Sequence, residues 1–308
     1  MTEHWTEILM TTCNGADYVR AQLDSILAQK DGRWHLTVSD DGSTDATPDI
    51  LDEYAARYPD KITRYRSGKR FGQACAHFLH LMGRCDAPYM LFSDQDDVWY
   101  PEKVGRMLET LEQAERQHGP DTPILVFSDL TPVDNALKPL ASSMMAYQNQ
   151  RTDAFDYRAL LMQNVVSGGA AGINRALARL AATEQTDDVI MHDWWVAVTA
   201  ARFGRIVYIP EALSAYRQHG GNVVGAQDVR SAGYVVRMLS SLGRVRRRLV
   251  EKKRQAALFS RLYAGRLSDE DAAFLRGFTR SHSGPWFYWR HRRLINGFWR
   301  LTGMMICG

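Results

Sequence analysis

The chain has 308 residues, of which 45% are hydrophobic and 24% charged, so it can bury a substantial core and is not disordered. No run of eighteen or more apolar residues is present, which excludes a membrane-spanning helix from the prediction. The net charge of +3 is unevenly divided: residues 230–308 hold 17 Lys or Arg against 4 Asp or Glu, and the remainder is acidic.

The first half of the chain alternates predicted strands and helices. It opens without the basic segment of a secretory signal, so the cytosol is the expected compartment. Four cysteines without CxxC spacing are expected to be reduced, and zinc is not expected. Strands joined by helices predict an α/β protein with a mostly parallel sheet. The predicted strands cover 7–12, 35–39, 62–66, 89–93 and 124–127, with helices after residues 15 and 48 and over 73–82 and 101–118.

The second half has a less regular pattern. Residues 129–153 show no periodicity and are predicted to form a long functional loop. A helix over 155–163, a glycine-rich segment over 167–172, a helix from about His192 and strands over 206–209 and 213–218 follow. The predicted boundary near 220–230 divides a catalytic domain, residues 1–228, from a basic, aromatic and mainly helical region, residues 229–308.

Three polar, acidic loops follow the first, second and fourth predicted strands. The carboxyl ends of parallel strands meet at one edge of a sheet, where ligands bind. Carboxylates gathered there repel one another unless a cation compensates, and oxygen ligands suit Mg²⁺ or Mn²⁺. Helix capping is the alternative interpretation, and it accounts well for Asp45. Metal binding is the preferred interpretation for Asp94 and Asp96, which directly follow an apolar strand.

The ordered motifs TCNG, SDDGSTD, SDQDDVW, HDWW and YRQHGGN resemble those of the inverting family 2 glycosyltransferases over about residues 7–222. The combination of SDQDDVWYPEK, HDWW and YRQHGGN is similar to bacterial rhamnosyltransferases that assemble surface polysaccharides. The resemblance implies a GT-A fold, a nucleoside-diphosphate sugar donor, a divalent metal and single displacement with inversion. A uridine-linked hexose or N-acetylhexosamine donor remains open beside dTDP-rhamnose.

The family's donor and metal roles fall on residues of the polar loops. The resemblance implies that Thr12 and Asn14 border the nucleotide, that Asp40 accepts from the base with Asp41 beside it, and that Asp94 faces the ribose and metal. Asp96 is the implied principal metal ligand. Two residues keep alternatives at this point: Arg70 contacts the nucleotide or is a solvated surface arginine, and His219 completes the metal shell or makes a structural hydrogen bond.

The acceptor side is predicted around HDWW and the glycine-rich segment. Asp193 is the candidate general base, because inversion needs a carboxylate to take the proton of the attacking hydroxyl. His192 replaces the family's usual Glu and either orients the base or caps the helix. Of Trp194 and Trp195, one is expected to floor a sugar site and the other to lie in the core. Shaping of the acceptor pocket is predicted for Gly168 and Gly169.

The basic tail interleaves cations with aromatic residues, a pattern that suits the headgroup zone of an anionic membrane. The predicted partners are therefore a lipid-linked or other glycan acceptor and the inner face of the cell membrane. A helical appendage packed on the catalytic domain or on a second subunit, as in a homo-oligomer, is the alternative. Two further hypotheses are a non-catalytic nucleotide-sugar binding module and a nucleic-acid binder, although the latter leaves the acidic crevice unexplained.

Overall fold

The computed structural model describes residues 5–152, 155–219, 242–280, 284–295 and 298–307, and a mixed eight-stranded sheet lies at its centre. The strands are β1 (Thr6–Thr12), β2 (Trp34–Asp40), β3 (Ile62–Tyr65), β4 (Tyr89–Ser93), β5 (Val98–Trp99), β6 (Ile124–Val133), β7 (Ala171–Asn174) and β8 (Arg205–Arg217). Their order is β3-β2-β1-β4-β7-β6-β8-β5. The first four are parallel, whereas β7 runs antiparallel to β4 and β6, and β5 antiparallel to β8.

Helices cover both faces of the sheet. They are α1 (Val19–Leu27), α2 (Thr47–Arg57), α3 (Ala74–Arg84), α4 (Lys103–His118), α5 (Met144–Tyr147), α6 (Tyr157–Met162), α7 (Arg175–Ala181), α8 (His192–Phe203), α9 (Leu242–Leu262), α10 (Asp269–Thr279), α11 (Gly284–Arg290) and α12 (Phe298–Cys307). Within the described ranges, no helix combines the length and apolar character needed to cross a bilayer.

Two apolar clusters on opposite faces of the sheet form the core, because side chains of a strand alternate between its faces. One face carries Ile8, Met10 and Leu91, which pack with residues of α1, α2 and α4. The other carries Leu9 and Phe92, which pack with residues of α3, α7 and α8. This three-layer arrangement leaves the loops after β1, β2 and β4 at one edge, where the polar motifs lie.

The C-terminal helices pack onto the α8 side of the sheet. Leu249, Phe259 and Phe278 belong to the same apolar cluster as the residues of α8. The described C-terminal helices therefore pack on the catalytic domain, as the alternative interpretation of the basic region had it. The predicted boundary at 220–230 lies outside the described residues, and the division at residue 228 stays a prediction.

The structure corrects several predicted elements. Residues 129–153 are not one irregular loop, because β6 continues to Val133 and α5 forms at Met144. The strands predicted at 206–209 and 213–218 are one strand, β8, which bends at register shifts against β6. The glycine-rich segment forms a short 3-10 turn, Gly168–Ala170, and then β7, which had not been predicted.

Candidate active site

The loops after β1 and β2 are tied to each other at the carboxyl edge of the sheet. Thr12 Oγ1 donates to Asp40 Oδ1 at 2.9 Å, and Asn14 Oδ1 accepts from the Thr44 amide at 2.8 Å. Asn14 has a φ of 48°, a left-handed conformation that asparagine tolerates better than most residues. Asp40 also accepts from the amides of Gly42 and Ser43 and from the Ser43 hydroxyl. In this structure its carboxylate therefore shapes its own loop.

The loop at 68–72 is fixed against this pair by Asp41. The buried Asp41 carboxylate accepts from the amides of Phe71 and Gly72 at 2.5 and 2.7 Å. Arg70 is exposed, and its Nε lies 3.5 Å from the position that a Cβ on Gly42 would take. The predicted donor-side residues thus lie on three adjoining loops. Asp45 accepts from the amides of Ala16 and of Thr47, the first residue of α2, although the N-cap residue of that helix is Ala46.

The acidic loop after β4 meets the end of β8. Asp96 Oδ2 lies 2.7 Å from His219 Nε2, so two of the three residues predicted as metal ligands are in contact. The His219 ring stacks on Tyr18 with ring centroids 4.7 Å apart. Arg217 Nε donates to the Asp96 carbonyl at 2.9 Å, which ties the acidic loop to the end of β8. The structure brings these residues together from positions more than 120 apart in sequence.

Negative charge accumulates at this loop. Burial, together with the charges of Asp96 and Asp193, raises the pKa of Asp94 to about 7. Burial and the charges of Asp94 and Asp96 raise the pKa of Asp97 well above its usual value, and Asp97 Oδ2 has no hydrogen-bond partner among the described residues. A site of this kind attracts a cation, because each carboxylate raises the free energy of its ionised neighbours.

The glycines at 168 and 169 separate the acidic loop from α8. A Cβ on Gly169 would lie 2.6 Å from Asp97 Oδ2 and 3.1 Å from Asp94 Oδ2. A Cβ on Gly168 would lie 2.8 Å from His192 Nε2 and 3.6 Å from Asp193 Oδ2. No larger residue fits at either position without displacing these side chains, so the two glycines bring the groups from β4 and α8 close together.

Asp193 lies at the first turn of α8, buried beside the glycines. Its Oδ1 accepts from the Trp194 amide at 2.5 Å and from Asn164 Nδ2 at 3.4 Å. Burial raises its pKa to about 7, against the opposing effect of the backbone amides of Trp194 and Gly168. A carboxylate with this pKa is suited to accept a proton near neutral pH.

His192 neither caps α8 nor bonds to Asp193, contrary to both sequence interpretations. Its ring stacks on Phe78 with centroids 4.0 Å apart, and neither ring nitrogen has a hydrogen-bond partner among the described residues. Burial lowers its pKa to about 3, so the imidazole is neutral. It fills the apolar space beneath Gly168.

One of the two tryptophans lies in the core, as expected. Trp195 is fully buried, and its Nε1 donates to the Ala181 carbonyl at 2.8 Å. This placement removes Trp195 from the predicted acceptor pocket, because no face of its ring reaches solvent. Trp194 is partly exposed, and its Nε1 donates to the Leu160 carbonyl at 2.5 Å.

Among the described residues, no three His, Cys, Asp or Glu side chains form a complete metal site. A cation that arrives with a diphosphate needs fewer protein ligands, since phosphate oxygens supply the others. Asp96 Oδ2 and His219 Nε2 lie 2.7 Å apart, and the buried Oδ2 of the next residue, Asp97, has no hydrogen-bond partner in the part of the chain that the structure describes. A carboxylate oxygen and an imidazole nitrogen at an acidic loop suit a divalent cation whose other ligands come from the diphosphate.

Three residues at the site were missed by sequence reasoning. Gln95 donates to the Cys13 carbonyl and accepts from its amide, which joins the loops after β1 and β4. Lys103 is fully buried and donates to the Gly169 carbonyl, and Arg217 donates to the Asp96 carbonyl of the acidic loop. In the sequence, each of these residues is only a polar residue within or next to an apolar stretch. That pattern does not reveal which distant residue becomes its partner.

Carboxylates at the carboxyl ends of parallel strands in a layered α/β fold define an enzyme that binds a charged small ligand. The family model for glycosyl transferase family 2 matches residues 7–179, and the chain belongs to this family. The chain is 28% identical over 261 residues to the dTDP-rhamnosyl transferase RfbG of Shigella flexneri. This alignment covers 79% of this chain and 81% of that protein.

Solved structures show the same fold at low identity. S. aureus TarS 1-349 in complex with UDP-GlcNAc aligns with a TM-score of 0.55 at 15% identity, over 94% of this chain and 84% of that one. Mannosyltransferase PcManGT from Pyrobaculum calidifontis, in complex with GDP-Man and Mn²⁺, aligns with a TM-score of 0.52 at 18% identity, over 97% and 83%. The chain is a glycosyltransferase with the GT-A fold, as its motifs predicted.

Proposed function

We propose that this glycosyltransferase is a metal-dependent inverting enzyme that moves rhamnose from dTDP-rhamnose to a glycan or lipid-linked glycan in cell-surface polysaccharide synthesis. One observation carries the chemical part of the proposal: Gly169 adjoins Asp94 and Asp97 of the acidic loop, and the preceding Gly168 adjoins the buried Asp193. Similarity to the rhamnosyl transferase RfbG supports the choice of donor.

The donor half of the site is assigned to the three tied loops. Thr12 and Asn14 border the nucleotide, and Asp41 keeps the 68–72 loop where the exposed Arg70 can reach a phosphate or carbonyl. Asp40 contacts the base only if one of its loop hydrogen bonds is exchanged, because its two oxygens already accept four. Asp94 faces the ribose.

The metal half is assigned to Asp96 and His219, with Asp94 beside them. A bound Mg²⁺ or Mn²⁺ would neutralise charge on the departing diphosphate. Asp193 takes the proton of the acceptor hydroxyl as it attacks the anomeric carbon from the face opposite the leaving group. The proton ends on the Asp193 carboxylate, and the sugar inverts in one displacement. Trp194 packs on the acceptor sugar.

A matched set of variants tests these assignments. Asp193→Asn is expected to bind donor but to lower turnover about 10³-fold, since it removes the general base. Asp96→Asn is expected to lose the thermal stabilisation that Mn²⁺ and donor give together. Asp121→Asn, an exposed carboxylate in the turn before β6, is the control and should behave as the parent. Parent-like transfer by either site variant would reject its assigned role.

The donor can be identified without knowing the acceptor. A ligand that binds only the folded state raises the melting temperature according to its affinity. We expect dTDP-rhamnose with Mn²⁺ to stabilise the enzyme more than UDP-glucose, UDP-galactose, UDP-GlcNAc or GDP-mannose. A larger shift with a uridine-linked sugar would replace the donor assignment, and no shift with any of them would reject the glycosyl donor site.

The membrane contact is assigned to the last helices. Trp286 is 73% exposed and Trp289 47%, three residues apart on one side of α11, and Ile306 on the neighbouring α12 is 58% exposed. Arg290, Arg292 and Arg293 are also exposed, and no Asp or Glu occurs after Asp271. Exposed indoles with unopposed cations match an anionic headgroup layer, which would hold the enzyme at the inner face of the cell membrane near a lipid-linked acceptor.

Vesicle flotation tests this surface. We expect binding to vesicles with one third phosphatidylglycerol, little binding to neutral phosphatidylcholine, and at least about tenfold weaker binding for Trp286→Ala/Trp289→Ala. Trp5→Ala is the control, because Trp5 is 42% exposed and lies outside the C-terminal region. Parent-like flotation of the double variant, or tighter salt-sensitive binding to DNA than to vesicles, would overturn the membrane assignment.

A further inference from the structure

The helix position and the burial of Lys103 are both unfavourable for a lysine. Lys103 is the first residue of α4, and a cation at a helix N-terminus opposes the helix dipole. Its side chain is among the largest that are fully buried, at 1% exposure, and lysine is almost never buried unless it is paired. Tertiary contacts must therefore account for both its position and its burial.

Those contacts lead into the active site. Lys103 Nζ donates to the Gly169 carbonyl and, at 2.8 Å, to Ser214 Oγ on β8. It also lies 4.0 Å from the centre of the Trp99 ring, a cation–π distance. Burial lowers the pKa of Lys103 to about 7, while the negative charges of Asp97 and Asp94 act in the opposite direction. The ammonium is thus the buried cation that faces the acidic loop.

The Gly168–Gly169 segment, which Lys103 contacts, adjoins both the acidic loop and Asp193. The missing Cβ of Gly169 allows Asp97 Oδ2 and Asp94 Oδ2 to approach, and the preceding Gly168 stands in the same way beside Asp193. The Gly169 peptide, whose carbonyl accepts from Lys103, is therefore next to Asp94 and Asp97. The preceding residue, Gly168, is next to the candidate base, Asp193. Loss of the hydrogen bond from Lys103 would free the segment that sets the distance between these acids and Asp193.

We infer that Lys103 is a positioning residue: its buried side chain fixes the Gly168–Gly169 segment by joining the Gly169 carbonyl to Ser214 on β8. The inference concerns a residue that touches no substrate, and only its kinetic consequence rests on the proposed function.

A double-mutant cycle in metal-free buffer tests this link between α4, the glycine segment and β8. Lys103→Met keeps the length of the side chain but removes the donor to the buried Gly169 carbonyl, so we expect the melting temperature to fall by about 5 °C or more. Ser214→Ala removes the other hydrogen-bond partner of Lys103 and should cost less. In the double variant, Ser214→Ala should cost less than half of its effect in the parent, because its partner is already gone. Additive effects would overturn the link through Lys103.

Two further variants complete this test. Lys30→Met removes an exposed lysine paired with Glu102 and should leave the melting temperature unchanged. If Lys103→Met does not fold, recovery of a folded protein by Lys103→Gln, which keeps a side-chain N–H donor, supports the inference, and equal failure of Lys103→Gln contradicts it. Because this cycle needs neither donor nor metal, its result is independent of the glycosyl-transfer assignments.

The positioning role has its own readout. In the folded Lys103→Met variant the acids of the loop after β4 are unchanged, but the Gly169 carbonyl has lost its donor. We expect kcat to fall about tenfold or more while the donor KM changes less than threefold, because misplacement of reacting groups affects the chemical step. Parent-like kcat in this variant would overturn the positioning role even if the cycle shows coupling.

Discussion

The buried Asp193 carboxylate gives the site a titration near neutral pH. Burial raises its pKa to about 7, so the ionised form that can accept a proton predominates above that pH and falls about tenfold per pH unit below it. We predict that kcat/KM for transfer rises about tenfold per pH unit below pH 7 and levels off above it. The measurement is a pH–rate profile from pH 5.5 to 8.5 at saturating Mn²⁺.

Variants identify the group that titrates. Asp193→Asn should abolish the rising limb together with most of the activity, whereas Asp121→Asn should keep both. A flat profile in the parent enzyme would mean that another group takes the proton. Replacement of His192 by Gln should not move the limb, because the imidazole is already neutral throughout this range.

Single residues also mark how far sequence reasoning could go. The polar loops after β1, β2 and β4 were predictable because their acids directly follow apolar strands. Lys103 and Arg217 were not, since their partners lie 66 and 121 positions away and only the folded chain brings them together. His192 was misjudged for a related reason: its ring is held by Phe78 and Phe92, which helix position alone does not reveal.

At the scale of elements, the Gly168–Ala170 turn controls the spacing of the site. Ala at position 169 would place a Cβ 2.6 Å from Asp97 Oδ2, closer than carbon and oxygen can approach. We predict that Gly169→Ala lowers kcat/KM about 10²-fold or more, because a displacement near 1 Å at a reacting centre has this effect. Transfer kinetics with purified enzyme measure the loss.

A second glycine provides the matched control. Gly83 lies in α3 with no atom within 4 Å of its Cβ position, so Gly83→Ala should keep activity and gain up to about 1 kcal/mol of stability from helix propensity. Equal kinetics for Gly169→Ala and Gly83→Ala would show that the turn tolerates a side chain. It would then not set the spacing between the acids.

Elements were predictable where the apolar pattern was long or uniform. The five consecutive buried residues of β4 gave its bounds directly, as did the helical spacing in α4 for most of its length. Strand β7 was missed because Ala171–Asn174 is four residues long, contains glycine and runs antiparallel in an otherwise parallel unit. The end of β6 was taken for a loop because it contains polar residues and proline, which pairing with β8 nonetheless accommodates.

At the scale of the whole molecule, Asp271 joins the C-terminal helices to the catalytic core. Its carboxylate lies at the start of α10 and accepts from Tyr157 on α6 at 2.5 Å, from Arg202 on α8 at 2.8 Å and from Ser268 at 2.8 Å. Because Asp193 lies in the first turn of α8, the helix that carries the candidate base is anchored near its other end by the C-terminal region. The catalytic domain and the basic region are therefore expected to unfold together.

Substitution of Asp271 tests this coupling. Although burial raises its pKa, the hydrogen bonds from Tyr157, Ser268 and Arg158 hold the pKa below the usual value of 3.8. A depressed carboxylate stabilises the fold above its unfolded pKa and loses that contribution as pH falls through the folded one. We predict that Asp271→Asn costs about 2 kcal/mol at pH 7, lowers the melting temperature by about 5 °C, and costs progressively less below pH 4.

The neighbouring Glu270 supplies the control for this prediction. Its side chain is 78% exposed and pairs only at the surface with Arg158, so Glu270→Gln should change stability by less than about 0.5 kcal/mol at any pH. A single cooperative transition in Asp271→Asn at the lower temperature would indicate that core and C-terminal helices still unfold together. Two separate transitions would mean that this one carboxylate couples them, and that the α8 end bearing Asp193 relies on the basic region for its position.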